Sequence, residues 1–471
     1  MSILSPMDSP ILSRLSPRFA GDPRRRRRLR RASLGLALTV AALAGCSSAS
    51  PAEPSDGGAS TPTEAGAPDA APAGPRIEHV VVVIQENHTF DNYFGRYCTA
   101  PAGSNPTCND GPACCEAVPA TEPSGASPVV LDDTSHASFD PDHTAECEVA
   151  EINGGKMDKF VTGTPCARPQ NFAVADPATM KTYHDYAKGF AIADRYFQPV
   201  VGQSSSNALY FAVAKYVFGD NAVSPNSVGK ACNSTKPERY EGQKTLADVL
   251  TAAKKTVGFY AEGWDAAKAA GNSCMPAPAD CPLHLPTYPC VFDPSDIPFL
   301  YYGQHVDDSA FMRDFSRLQA DVAGNTLPDV AFVKAFGFRS EHPGYGTTLS
   351  AGIAFTDGVI KSILASPTYK DNTLVLVAWD EGGGYFDHVP PPATSAVDQR
   401  PYGTRLPLLA IGRFARKGFV SHVTMEHSSI VKFLEWNFTG ATGQLGARDA
   451  VVNNIGSLLD PTTVAVPVPS N

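Results

Sequence analysis

Charge is scarce in this sequence. Only 18% of its 471 residues are charged and 43% are hydrophobic, which excludes a chain held open by self-repulsion and leaves enough apolar material for a large core. Positive charge is scarcer still: 38 basic residues face 48 acidic ones, a net charge of −10. No basic stripe is available to neutralise a phosphate backbone, so nucleic acid is not an expected partner. A membrane-spanning stretch is also missing, because the apolar run from Ala32 to Ala44 has 13 residues where a spanning helix needs roughly 20. No internal repeat is evident.

That short run does have a place. It follows Arg24 to Arg28, Arg30 and Arg31 and ends in Leu43-Ala44-Gly45-Cys46, the layout of an export signal whose end resembles a bacterial lipobox. The expectation is a signal peptide over 1–45, a lipidated Cys46 anchoring an exported protein to a membrane on the periplasmic side or cell surface, and a flexible Ala, Pro, Ser and Gly-rich tether to residue 75. The export route stays open. Without the leader, 29 basic residues face 46 acidic ones, a net charge of −17. With Cys46 assigned to lipid, ten of the eleven cysteines remain, an even number that predicts up to five disulfides in an oxidising compartment. Zinc at the Cys108 to Cys115 cluster is the alternative, but no paired Cys-x-x-Cys spacing supports it.

The chain is organised around Ile77 to Gly95. Val80 to Ile84 is an uninterrupted β-branched run, the pattern of an inner strand covered on both faces, and polar chemistry begins where it stops, at Gln85-Glu86-Asn87-His88. Thr373 to Trp379 repeats the pattern and ends in Asp380-Glu381. In open α/β sheets, ligands sit beyond the carboxyl ends of strands. If the two strands are neighbours, Glu86, Asn87, Asp380 and Glu381 meet at one edge, and a cation would relieve the repulsion among the carboxylates.

Further elements follow the same logic. A helix is expected over Met180 to Lys188, strands over Phe190 to Phe197, Val257 to Ala261, Asp329 to Ala335 and Arg405 to Gly412, and helices over Thr245 to Thr256, Asp308 to Ala323 and Thr347 to Ala365. Gln203-Ser204-Ser205-Ser206-Asn207 runs into a helix beginning near Ala208, and a hydroxyl at a helix start can meet a phosphate on free amides. Such a serine can equally be a cap. Glu426-His427 opens a capped helix.

Glu86 to Gly95 and Trp379-Asp380-Glu381 through Pro392 resemble the two signature blocks of the bacterial phosphoesterase family that contains phospholipases C and acid phosphatases, and the resemblance runs from about Ile77 to Phe438. It implies an alkaline-phosphatase-like α/β fold, a central mostly parallel sheet with helices on both faces. Disulfide-rich insertions would fall at about 98–128 and 221–300, within a catalytic domain over 76–460 followed by a tail over 461–471. It also implies roles. Ser204 takes the place of the nucleophile, with Ser205 in reserve, and His143 and His342 map onto active-site histidines. Asn207 would donate to the reacting phosphorus centre and His388 would bind substrate more weakly, while His427 is read as supporting the site residues from behind or as structural.

Glu86, Asn87, Asp380 and Glu381 would hold one divalent metal, Ca, Mg or Mn in preference to Zn because the donors are oxygens. The expected partner is a phosphate-ester substrate, a small molecule or a phospholipid head group. The first reading is an acid-phosphatase-like monoesterase working through a phosphoserine. Phospholipase C or another phosphodiesterase is the alternative, and a non-catalytic surface binding protein on the same fold is a third.

Overall fold

The computed structural model describes residues 76–467 and 469, apart from 234 and 307. The leader, Cys46 and the tether lie outside the described residues. No helix among the described residues is long and apolar enough to cross a membrane.

Eight strands of the described residues form one sheet: His79–Gln85 (β1), Ala191–Phe197 (β2), Val257–Ala261 (β3), Met312–Asp314 (β4), Val330–Lys334 (β5), Thr373–Trp379 (β6), Arg405–Ile411 (β7) and Phe419–Ser421 (β8). Their spatial order is β8, β2, β7, β6, β1, β5, β3, β4. Only β7 runs against its neighbours β6 and β2, so the sheet is mostly parallel as expected. Because β7 is reversed against both, β2 and β6 point the same way. The carboxyl ends of β1, β2, β5 and β6 therefore share one edge.

β1 lies at the centre with β6 and β5 on its flanks, and all seven of its residues except His79 are buried. Its alternating side chains feed two cores. Val80, Val82 and Ile84 pack with Leu209 and Phe211 of the helix Ser204–Val213 and with Ile430 and Phe433 of the helix His427–Thr439. Val81 and Val83 pack on the other face with Leu349, Ile353 and Ile360 of the helix Leu349–Leu364. Burial on both faces is what makes the strand read as a continuous apolar run.

The expected helix over Asp308 to Ala323 is mostly not one. Asp308 Oδ1 accepts from Ala310 N–H at 2.8 Å, β4 pairs with β3, and Asp314 caps the 3-10 turn Phe315–Arg317, leaving helix only at Leu318–Ala323. Aspartates that bond nearby amides compete with helix, and here they win. The helix carrying Ser204 also begins four residues earlier than expected.

Four disulfides pin the two insertions, Cys98–Cys115, Cys108–Cys114, Cys232–Cys274 and Cys281–Cys290, and a fifth, Cys147–Cys166, ties the segment between them. They take all ten cysteines that follow Cys46, so the 108–115 cluster has no thiolate left for zinc.

Candidate active site

The pairing of β1 with β6 sets Gln85 opposite Trp379, so Glu86-Asn87 and Asp380-Glu381 leave the sheet side by side. The link continues beyond the strands: Asp380 N–H donates to Gln85 O at 3.0 Å and Asn87 N–H to Asp380 Oδ1 at 3.4 Å. On the other flank Glu86 N–H donates to Ser340 O at 2.8 Å, which brings up the segment containing His342. Asn87 takes φ 59°, a left-handed conformation that Asn tolerates, and Gly383 allows close approach because a Cβ there would lie 2.6 Å from Asn87 Cβ.

Ser204 stands on the first turn of its helix, behind Gln203, which occupies the cap position without a side-chain cap bond. Its hydroxyl donates to Glu381 Oε1 at 2.6 Å across 177 residues of sequence. Ser204 is therefore not a capping serine. Ser206 Oγ donates locally to Gln203 O and Ser205 N–H is held by Asn221, so of the three serines it is Ser204 whose hydroxyl reaches the carboxylates.

His143 Nδ1 lies 2.7 Å from Pro141 O and His342 Nδ1 lies 2.8 Å from Pro343 O. A carbonyl fixes each Nδ1 as the N–H donor, so in the neutral rings both Nε2 atoms carry a lone pair. His143 Nε2 lies 3.7 Å from Glu381 Oε1 and His342 Nε2 4.0 Å from Glu86 Oε2. A cavity of about 320 Å³ gathers Ser204, Glu86, His143, His342, Tyr288 and Asp296 on its walls.

Burial and like charge dominate the electrostatics. Burial, Asp380 and Glu148 push the Glu381 carboxyl well up against the hydrogen bond from Ser204, while burial and Glu86 raise Asp380 to about 7 against Lys334. Burial opposes charge on Glu86 too, yet Lys334 and His342 hold its carboxyl below the usual range. Burial also lowers His143, against the pull of Asp140.

Lys334, closing β5, is buried and ion-paired with Glu86, and Tyr288 OH donates to Glu86 Oε2 at 3.2 Å. Neither was foreseen. A lysine ending an otherwise apolar strand was the available signal for Lys334, whereas Tyr288 and Asp296 sit in the Pro and Cys-rich insertion that reads as decoration.

Two expected residues are placed elsewhere. Asn207 Oδ1 accepts from Val200 N–H at 3.2 Å and its Nδ2 donates to Gly202 O at 2.6 Å and Gln203 O at 3.3 Å, so its amide braces the loop before Ser204 with both donor hydrogens engaged. His388 Nδ1 faces Asp91 at 2.8 Å and Nε2 faces Glu116 at 3.0 Å, beside Arg405. With both nitrogens engaged in an ion network, it is not a wall of the cavity. His427 is structural as expected: Tyr196 OH meets Nδ1 at 2.6 Å, Nε2 meets Asp380 O at 2.7 Å, and burial pushes its pKa down to about 3.

The donors suit a hard divalent cation. Both amide atoms of Asn87 and Glu381 Oε2 are buried without a hydrogen-bond partner, and buried carboxylates crowd against them. The group of three acidic or histidine residues whose ligand atoms lie within 4.8 Å of one another here is, however, Asp140, His143 and His342. Two sets of side chains thus offer ligands to a metal, Glu86, Asn87, Asp380 and Glu381 on one side and Asp140, His143 and His342 on the other.

Comparison with known proteins places this geometry. The chain is 24% identical over 421 residues to the non-hemolytic phospholipase C of Burkholderia pseudomallei, covering 77% of this chain and 55% of that protein. It is 27% identical over 437 residues to phospholipase C B of Mycobacterium tuberculosis, covering 81% and 77%. It thus spans about half the length of the first and three quarters of the second. Among solved structures it is similar to the alkaline phosphatase of the Antarctic bacterium TAB5, with a TM-score of 0.31 and 12% identity over 78% of this chain and 99% of that one. A protein of the alkaline phosphatase superfamily from Vibrio parahaemolyticus gives a TM-score of 0.34 and 11% identity, covering 80% and 73%. Residues 77–439 match the Phosphoesterase family, and the chain belongs to that family.

Proposed function

We propose that the chain hydrolyses phosphate esters through a covalent phosphoserine at Ser204. The observation that carries this reading is the 2.6 Å hydrogen bond from Ser204 Oγ to Glu381 Oε1 on the wall of a cavity that also presents two histidines. In its ionised form Glu381 takes the hydroxyl proton along that hydrogen bond as Oγ attacks phosphorus. The P–O bond to the alcohol breaks and a protonated Nε2 of His143 or His342 gives its proton to the leaving oxygen. Water then attacks phosphorus and gives a proton to the same nitrogen, the Oγ–P bond breaks, and Glu381 returns its proton to Oγ to restore the serine. Glu86, Asn87, Asp380 and Glu381 would hold a divalent cation, which when bound supplies positive charge to phosphoryl oxygens.

The wall also carries Asp140, Asp293 and Asp296. Burial and Glu86 push the Asp296 carboxyl well above the usual range, which leaves the Asp140 and Asp293 carboxylates to oppose a dianionic monoester more than a singly charged diester and to favour an alcohol bearing a cation. With relatives named phospholipase C, a phosphodiester of that kind is the first reading and an acid-phosphatase-like monoester the second. Export through the 1–45 leader and anchoring at Cys46 belong to the same proposal.

Turnover of nitrophenyl phosphate and nitrophenylphosphorylcholine, with divalent metals supplied, ranks the two substrates. Ser204→Ala should lower turnover by at least about 10³-fold with an unchanged melting temperature, while Ser205→Ala keeps most of it. Unchanged turnover by Ser204→Ala would refute the mechanism.

A further inference from the structure

The Cys281–Cys290 disulfide closes a loop, Cys-Pro-Leu-His-Leu-Pro-Thr-Tyr-Pro-Cys, that joins the cavity to the outside. Its Tyr288 lines the cavity and meets the His342 ring edge-on at 5.3 Å. Its tip points to solvent, with Leu283 37% and Leu285 53% exposed. Tyr345, 46% exposed, packs its ring against Tyr288 at 5.3 Å, and a Cβ on the adjacent Gly346 would lie 4.0 Å from Leu283 Cδ2. Three of the seven large hydrophobic side chains exposed among the described residues thus lie on this loop or against it, and one of them, Tyr345, lines the cavity with Ser204.

We propose that this loop is a lipid-docking element: Leu283, Leu285 and Tyr345 enter the apolar layer of a zwitterionic lipid surface and hold the cavity mouth against it. The reading of Ser204 as a phosphoester nucleophile gives the docking its purpose, and the proposal rests on it to that extent. At about 320 Å³ the cavity is at the small end of ligand sites. It holds a phosphate and a small alcohol but cannot enclose acyl chains, so a lipid ester in place there leaves its chains at the rim, where these side chains are. Single exposed leucines are ordinary, but an apolar cluster rimming a polar cavity marks an interaction surface, and tyrosine beside leucine is the composition of a membrane interface. Charge selects the surface. The chain carries a net −10 and the cavity wall is acidic, which opposes anionic lipid and suits a head group with an outer ammonium.

The test uses the full chain with Cys46→Ser, so that no attached lipid contributes. Sedimentation with phosphatidylcholine vesicles should show binding, weakened about tenfold when Leu283→Ser and Leu285→Ser are combined. Turnover of soluble nitrophenyl esters should be unchanged by the pair, while turnover of vesicle lipid falls with binding. Equal vesicle binding with and without the two serines, or no binding by either, overturns the proposal. So does a dimer that the serines convert to monomer in the absence of vesicle binding, since a second copy would then cover the loop. Loss of all soluble turnover would count against the phosphoester reading alone, because sedimentation still decides the docking.

Discussion

Single residues decide the chemistry. Lys334 is 3% exposed and paired with Glu86, so Lys334→Met strands a buried carboxylate and should cost about 3–5 kcal/mol in urea unfolding. An unchanged midpoint would show that Glu86 has another counter-charge. Gln198 ties the nucleophile loop to the carboxylate loop: its Nε2 donates to Glu148 Oε2 at 2.9 Å and Gly202 O at 3.0 Å, and its Oε1 accepts from Gly382 N–H at 3.1 Å. Gln198→Leu leaves those groups unpaired and should lower stability by about 2–3 kcal/mol, read by the same unfolding curves. Motifs at strand ends made Glu86, Asp380 and His342 candidates in the sequence, and the structure brings them to one sheet edge. Between Ser204 and Ser205 the sequence leaves the register uncertain by one, and it is the Ser204 hydroxyl that contacts Glu381. Asn207 and His388 have the right chemistry for a site, but a side chain's bonds are not written in its type. One braces backbone and the other fills an ion network.

At the scale of elements, β1, β6 and β7 were legible because burial on both faces leaves nothing but apolar residues to read. The 308–323 segment was not, because aspartate side chains take amides that a helix would have used. Likewise, which face of an insertion looks into the cavity depends on disulfide pairing that spacing alone leaves open. The 98–116 insertion is held to the body by His388, whose Nε2 faces Glu116 Oε2 at 3.0 Å. Burial opposes charge on Glu116, but hydrogen bonds from His388, Gly103 N–H and Asn105 N–H bring its pKa from 4.5 down to about 2. Burial opposes charge on His388 as well, and Asp91 raises it above 6.5. The carboxylate's contribution is complete above pH 4.5 and is lost as pH falls toward 2. The histidine's is complete below 6.5 and is lost as pH rises through its raised pKa, when a lone pair meets Glu116. Amide hydrogen exchange in 98–116 should therefore be slowest, relative to the sheet, at pH between these limits. Equal relative protection at alkaline pH would show that His388 does not hold the insertion.

For the whole molecule, the resemblance implied an α/β architecture with a mostly parallel sheet, to which the doubly buried strands add support, and the reversed β7 was not legible, since an inner strand reads alike in either direction. Cys232 lies on the cavity wall and its bond to Cys274 spans 42 residues of sequence. Replacing both by Ser should cost about 3–4 kcal/mol by loop-closure entropy and loosen that wall, seen as lower stability and a raised KM. Unchanged stability and KM would mean the insertion is held by packing alone.

The account depends on segments far apart in sequence meeting so that one serine oxygen attacks phosphorus. The most direct measurement is mass spectrometry of peptides from enzyme quenched in acid during turnover of a nitrophenyl ester. A phosphoryl group on Ser204, absent when the substrate is omitted, is the predicted result. A phosphoryl group on Ser205 or any other side chain, with Ser204 unmodified, would contradict it.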